Sequence, residues 1–227
     1  FIFDTIIFGP KKMDFPTYKF LCQAATFIGV ETNFCGDEFP FVVQNRTMAG
    51  QFSAHVMTSV ISGFIISFPY VLYEFWKFIS PGLLEKEKAK SRGFIFISSI
   101  LFFVGVLFGY YVISPLSINF LGTYQVSTQV LNEIDLGSFI SLVRSSALAS
   151  GIIFELPIII YFLTKAGVVT PESLVKYRKY ALVLVLILAA IITPPDVASQ
   201  IIVAIPIVVL YQVSIFISRI VVKNQNK

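Results

Sequence analysis

Charge is what this sequence has least of. Asp, Glu, Lys and Arg make up 13% of its 227 residues, against roughly 25% in soluble domains. The composition excludes an intrinsically disordered chain, and a net charge of +4 is no footprint of nucleic-acid binding. With one His and two Cys, neither a histidine-built metal site nor a small disulfide scaffold is open to it. Enzyme signatures are missing as well: there is no G-x-S-x-G, no H-E-x-x-H and no Gly-rich phosphate cradle. No heptad pattern or low-complexity tract occurs. No catalytic residue, metal or cofactor is expected.

What is present is apolar. Hydrophobic residues reach 56%, with 24 Phe, and the mean hydropathy is +0.82. A soluble fold of this size cannot hide so much apolar surface, so the chain reads as an all-α polytopic membrane protein. Five spans are expected, over about 51–76, 94–116, 136–164, 180–193 and 199–218. Each is too long for a strand and lacks the alternation of a barrel. Residues 1–50 read as a small folded cap on the membrane surface. Within it, Pro16 opens a helix carrying Tyr18, Leu21, Cys22, Ala25 and Ile28 at helical spacing, and residues 39–43 suit a short extended piece.

The loops set the orientation. Lys77, Lys86, Lys88, Lys90 and Arg92 follow the first span; Lys165, Lys176, Arg178 and Lys179 follow the third; Arg219, Lys223 and Lys227 follow the fifth. The opposite side has Lys11, Lys12, Lys19 and Arg46, with none in 119–135 or 194–198. Positive loops stay in the cytoplasm, which places residues 1–50 outside and the C-terminus inside. The chain starts at Phe1 with its N-terminus outside, so a whole protein starting in the cytoplasm would carry one more span upstream. The fourth span is short. Its fourteen residues rise about 21 Å, less than a core of about 30 Å, before the prolines of Thr193-Pro194-Pro195-Asp196 end it.

Few residues here can carry chemistry. Glu155 lies inside the third span, where a carboxylate is costly. It is either a binding or relay group or a polar clamp between helices, and intramembrane ionisable residues favour the first reading. Arg144, near the outer end of the same span, snorkels or pairs with Glu133 or Asp135. Asp196 either caps the fifth helix or belongs to a binding site, and Thr193 and Gln200 beside it can bond across helices. In the cytoplasmic loop after the first span, Glu85 and Glu87 stand among lysines. Cys22 and Cys35 share the outer cap, where they are either bridged or two free thiols. His55 has no Cys or His beside it, which argues against a metal.

Longer motifs carry a resemblance. Phe75-Trp76-Lys77-Phe78-Ile79-Ser80-Pro81-Gly82-Leu83 with Glu87, then Phe154-Glu155-Leu156-Pro157, then Tyr177-Arg178-Lys179-Tyr180, Thr193-Pro194-Pro195-Asp196 with Ser199-Gln200, and Ala204-Ile205-Pro206 with Leu210-Tyr211 occur in order. Together they resemble the TatC family, the receptor subunits of the twin-arginine translocase. The resemblance implies a six-span fold with both ends in the cytoplasm, this chain matching its second to sixth spans and lacking the first span and acidic tail. It implies a receptor in the cytoplasmic (inner) membrane that binds twin-arginine signal peptides of folded cargo. Such receptors self-associate, assemble with single-span TatA- and TatB-type partners, and export at the expense of the proton-motive force. Carried over, Glu87 matches the glutamate that receives the arginine pair, with Phe78 and Pro81 beside it. Glu155 matches the intramembrane glutamate on the concave side. Thr193 and Gln200, with Asp196 between them, match a polar cluster where a partner helix docks. The long outer loop and its two cysteines depart from the family pattern. The alternative from another class is a proton-coupled small-solute transporter using Glu155, Asp196 and Arg144. It calls for paired internal repeats, and no convincing repeat is found.

Overall fold

The computed structural model describes residues 2–29, 35–36, 39–79, 91–127, 129–130, 132–193 and 197–225. The cap begins with a π-helical turn, Ile2–Ile7, followed by a 3-10 turn at Gly9–Lys11. Helix α1 (Pro16–Ile28) starts with Pro in its first turn, where a missing N–H costs nothing. It stops at Gly29, whose φ of 75° lets its N–H turn back to the Ala25 and Thr26 carbonyls. Strand β1 (Val42–Gln44) pairs in parallel with β2 (Glu133–Asp135), Val43 opposite Ile134. This small sheet ties the segment before α2 to the segment at residues 133–135, and Arg46 adds an ion pair to Glu133 at 3.1 Å.

Four helical runs are long and apolar enough to cross a membrane: Gly50–Phe78, Ile95–Thr123, Leu136–Lys165 and Ser199–Asn224. The first is α2 (Gly50–Ile79). Only 11% of its most apolar window is buried inside the chain, so much of its surface is left for lipid or another helix. The second is composite: α3 (Ser91–Phe108), a π-helical turn Gly109–Ile113, and α4 (Ser114–Thr123). The third joins α5 (Leu136–Phe154) to α6 (Leu156–Lys165). A short α7 (Pro171–Lys176) follows, closed by a capping box of Thr170 and Ser173. Then come α8 (Arg178–Ile192) and α9 (Val197–Gln225). Helix α8 has 15 residues and rises about 22 Å, which keeps it apart from the four longer runs.

The second run departs from expectation. Sequence reading ends it near 116 and takes 119–135 as a loop, yet the chain stays helical to Thr123. Pro115 has no N–H and cannot bond the carbonyl of Tyr111. The fold removes that cost from outside the helix: the Thr17 hydroxyl of the cap donates to the Tyr111 carbonyl. The π turn gives Pro115 a first-turn position in α4.

Two cores result. At the end nearer the cap Ile7, Phe41, Ala54, Ile118, Phe139 and Val143 pack cap and spans into one cluster. Deeper, Ile113, Val185, Ala189, Val203 and Ile207 join the α8–α9 hairpin to the second run. Tyr18 locks the cap down. Its ring is wholly buried, and its hydroxyl lies 2.9 Å from the carbonyls of both Pro10 and Pro115, donating to one at a time. Cys22 and Cys35 are joined by a disulfide, with Cα atoms 5.2 Å apart.

Burial pushes the Tyr18 phenol well above the ordinary tyrosine range. Below about pH 10 folded and unfolded caps both hold that proton; above it only the unfolded cap releases it, so stability falls. Hydrogen exchange of the α1 amides should therefore rise more steeply above that pH in the wild type than in Tyr18→Phe. At neutral pH the variant should cost the cap about 1 kcal/mol.

Candidate functional site

Glu155 sits where the third run breaks. Pro157, two residues on, has no N–H and cannot serve the Ile153 carbonyl, so the helix cannot continue unchanged. The Glu155 N–H tightens to Ile152 O at 3.1 Å, while its carbonyl accepts from both Ile158 and Ile159. The side chain leaves this break into the protein and is 8% exposed. Its Oε2 accepts a hydrogen bond from the wholly buried Ser98 hydroxyl on α3. Its Oε1 has no partner among the described residues. Around the pair lies a cavity of about 160 Å³ walled by Leu72, Trp76, Ile158 and Phe162.

The approach of α3 to α5 makes this meeting possible. A Cβ at Gly105 would lie 2.7 Å from the Ser150 carbonyl, and one at Gly151 2.8 Å from Phe102 and Val106. Glycine at these places lets the two backbones close on each other. Ser98 is the partner of Glu155 that the sequence did not point to. Its signal was the Ser98-Ser99 pair in an otherwise apolar, uncharged segment.

The other expected residues fall elsewhere. Thr193 is buried, and its hydroxyl donates to the Ala189 carbonyl of its own helix at 2.8 Å. Gln200 donates from Nε2 to Leu186 O at 3.0 Å, clamping α9 to α8. No hydrogen bond among the described residues joins either to Glu155. At the opposite end of α9, Thr164 and Ser218 share a buried hydrogen bond of 2.8 Å, and the Tyr211 hydroxyl donates to Leu174 O at 2.9 Å. Phe78, at the end of α2, is 84% exposed while Trp76 beside it is buried. Pro81, Glu87 and Asp196 lie outside the described residues.

Arg144 corrects an expectation. Glu133 is taken by Arg46, and Asp135 accepts from the Ser138 N–H as the cap of α5, so neither pairs with it. The His55 ring lies against Phe3, with centroids 5.6 Å apart.

Four long apolar helices, a break at an intramembrane carboxylate and a cap folded onto one end of the helices define a polytopic helical membrane protein. Comparison with known proteins narrows this further. The family model described as Sec-independent protein translocase protein (TatC) matches residues 3–206. A TatC protein of Blattabacterium sp. subsp. Periplaneta americana is 46% identical over 225 residues, spanning 99% of this chain and 85% of that one. One from Helicobacter pylori (strain ATCC 700392 / 26695) is 43% identical over 166 residues, 73% of this chain and 65% of that one. A crystal structure of the twin arginine translocase receptor TatC matches with a TM-score of 0.65 at 32% identity, covering 96% of this chain and 93% of that one. The chain belongs to the TatC family of Sec-independent protein translocase proteins.

The Ser98–Glu155 pair makes a prediction with an internal control. The Ser99 hydroxyl is spent on Ile95 O of its own helix at 2.7 Å. In detergent, Ser98→Ala should lower the unfolding temperature clearly more than Ser99→Ala, because it removes a bond to a carboxyl group held out of water, a loss of about 1–3 kcal/mol. Equal effects would break the pairing.

Proposed function

We propose that this chain is the receptor and core subunit of a twin-arginine translocase, binding the signal peptides of folded cargo. The observation that carries this reading is the likeness, along nearly its whole length, to a solved twin arginine translocase receptor. The chemistry of the first cytoplasmic loop agrees with it. Glu87 in that loop offers a carboxylate to the guanidinium pair through bidentate bonds, which are charge-assisted and directional. Pro81 is the other residue of that loop assigned to the peptide. Phe78, exposed at the end of α2, offers apolar surface to the peptide next to the pair. In this reading the cytoplasmic membrane holds the chain with residues 1–50 outside and the C-terminus inside, as the distribution of Lys and Arg favours. The domain division is then a cap over 1–50 and a helical membrane domain over 51–227.

TatA- and TatB-type single-span subunits are the partners, with the receptor self-associating in the bilayer. The hairpin of α8 and α9, with Thr193, Asp196 and Gln200 at its turn, is the docking place for a partner helix. Glu155 serves assembly or transport after first contact with the peptide. The short α8 is a fifth span, accommodated where the bilayer is thin.

Cross-linking of a signal peptide to the complete protein tests this. A peptide with its arginine pair should be captured at least about tenfold better than the same peptide with lysines, which keep the charge and lose the fork. Glu87→Gln should abolish most of that preference and leave the protein folded. Equal capture of both peptides by the wild type would contradict the receptor reading. Glu155→Ala should impair export more than peptide capture; unchanged export would reduce Glu155 to a packing clamp.

A further inference from the structure

Arg144 is a charge without a described counter-charge. It is half-buried in the third run, and no carboxylate among the described residues lies within 4.0 Å of it. A guanidinium near hydrocarbon needs an anion or water, and here the surroundings offer donors. On one flank, an open groove of about 570 Å³ is lined by Arg144 with Ser138, Ser141 and Ser145. The hydroxyls of Ser138 and Ser141 make no hydrogen bond to a described residue. Asp135 also lines this groove, its carboxylate held by the Ser138 N–H at 3.1 Å. On the other flank, about 350 Å³ opens between Arg144, Gly137 and the start of α2, where Thr47, Gly50 and Ser53 stand.

Depth decides what kind of anion can arrive. The third run has 30 residues and is about 45 Å long, so it overhangs a core of about 30 Å at both ends. Arg144 lies eight residues after Leu136, about 12 Å along the axis. That puts its Cα a few ångströms inside the hydrocarbon boundary and its guanidinium within reach of the headgroups.

We propose that Arg144 holds the phosphate of an anionic phospholipid headgroup, in the groove it shares with Ser138, Ser141 and Ser145. The guanidinium gives two parallel N–H donors to the phosphate oxygens, and the Ser138 and Ser141 hydroxyls supply the rest, the Ser145 hydroxyl being spent on Leu142 O at 3.3 Å. A zwitterionic choline headgroup carries its own cation and binds less well. The lipid then lies along the first half of α5 beside Ile192 at the end of α8, which lines the same groove.

Native mass spectrometry of the full chain, released from detergent with phosphatidylglycerol or phosphatidylcholine, tests this. The wild type should retain phosphatidylglycerol preferentially, Arg144→Gln should bind it about tenfold more weakly, and Arg144→Lys should fall between. Ser141→Ala, which leaves the charge and the helix in place, should weaken it by a smaller factor and covers the case in which Arg144→Gln does not fold. Inorganic phosphate at millimolar concentration should not displace the lipid. Equal retention of the two lipids, equal binding by wild type and Arg144→Gln, or full displacement by inorganic phosphate would each overturn the proposal. Equal binding is also what a partner's carboxylate on Arg144 would give.

Discussion

The close contact of α3 with α5 is the constraint on which the rest of the molecule depends. Lipid tails are as apolar as leucine, so membrane helices gain little from burying apolar surface against each other. What holds them is direct packing, and packing is best where small residues let backbones meet. Gly105 and Gly109 on one run, facing Ser146, Ser150 and Gly151 on the other, provide that meeting. Ser98 then falls against Glu155, two turns below Gly105, and the cavity walled by Trp76 and Phe162 closes around the pair.

Two prolines in neighbouring runs create polar groups inside the membrane, and the fold treats them differently. At Pro115 the freed Tyr111 carbonyl is taken by Thr17, so a membrane span depends on the cap for its continuity. Tyr18 strengthens the same junction through Pro115, and the Tyr110 hydroxyl adds a bond of 2.8 Å to Ile6 O. At Pro157 no side chain among the described residues takes the Ile153 carbonyl. The helix turns at Glu155 instead and sends a carboxylate into the protein with one oxygen satisfied. The first break fastens the molecule together; the second leaves a group with capacity to bind.

Much of this was legible in the residues. The apolar runs, the helix opened by Pro16 and the isolation of Glu155 follow from period, composition and the cost of charge in lipid. Other features depend on partners distant in sequence. The helix beyond Pro115 needs a hydroxyl that is 94 positions away in the chain. The pairing of Val43 with Ile134 joins two short segments across two membrane runs, and three-residue strands leave no periodic trace. Arg46, rather than Arg144, holds Glu133, because the pairing of β1 with β2 brings the Arg46 segment beside it. Ser98 gave only the faint signal of a polar residue in an apolar run, since hydroxyls are common in membrane helices and most bond their own backbone.

The most direct measurement of the glycine contact compares two alanine substitutions. Gly63 on α2 has nothing within 4 Å of the place a Cβ would take, whereas at Gly105 that place is 2.7 Å from a backbone carbonyl of α5. In an open helical position alanine is favoured over glycine by about 1 kcal/mol. Thermal unfolding of the purified protein should therefore show Gly63→Ala at least as stable as the wild type and Gly105→Ala several degrees less stable. Equal stability of the two variants would contradict the account.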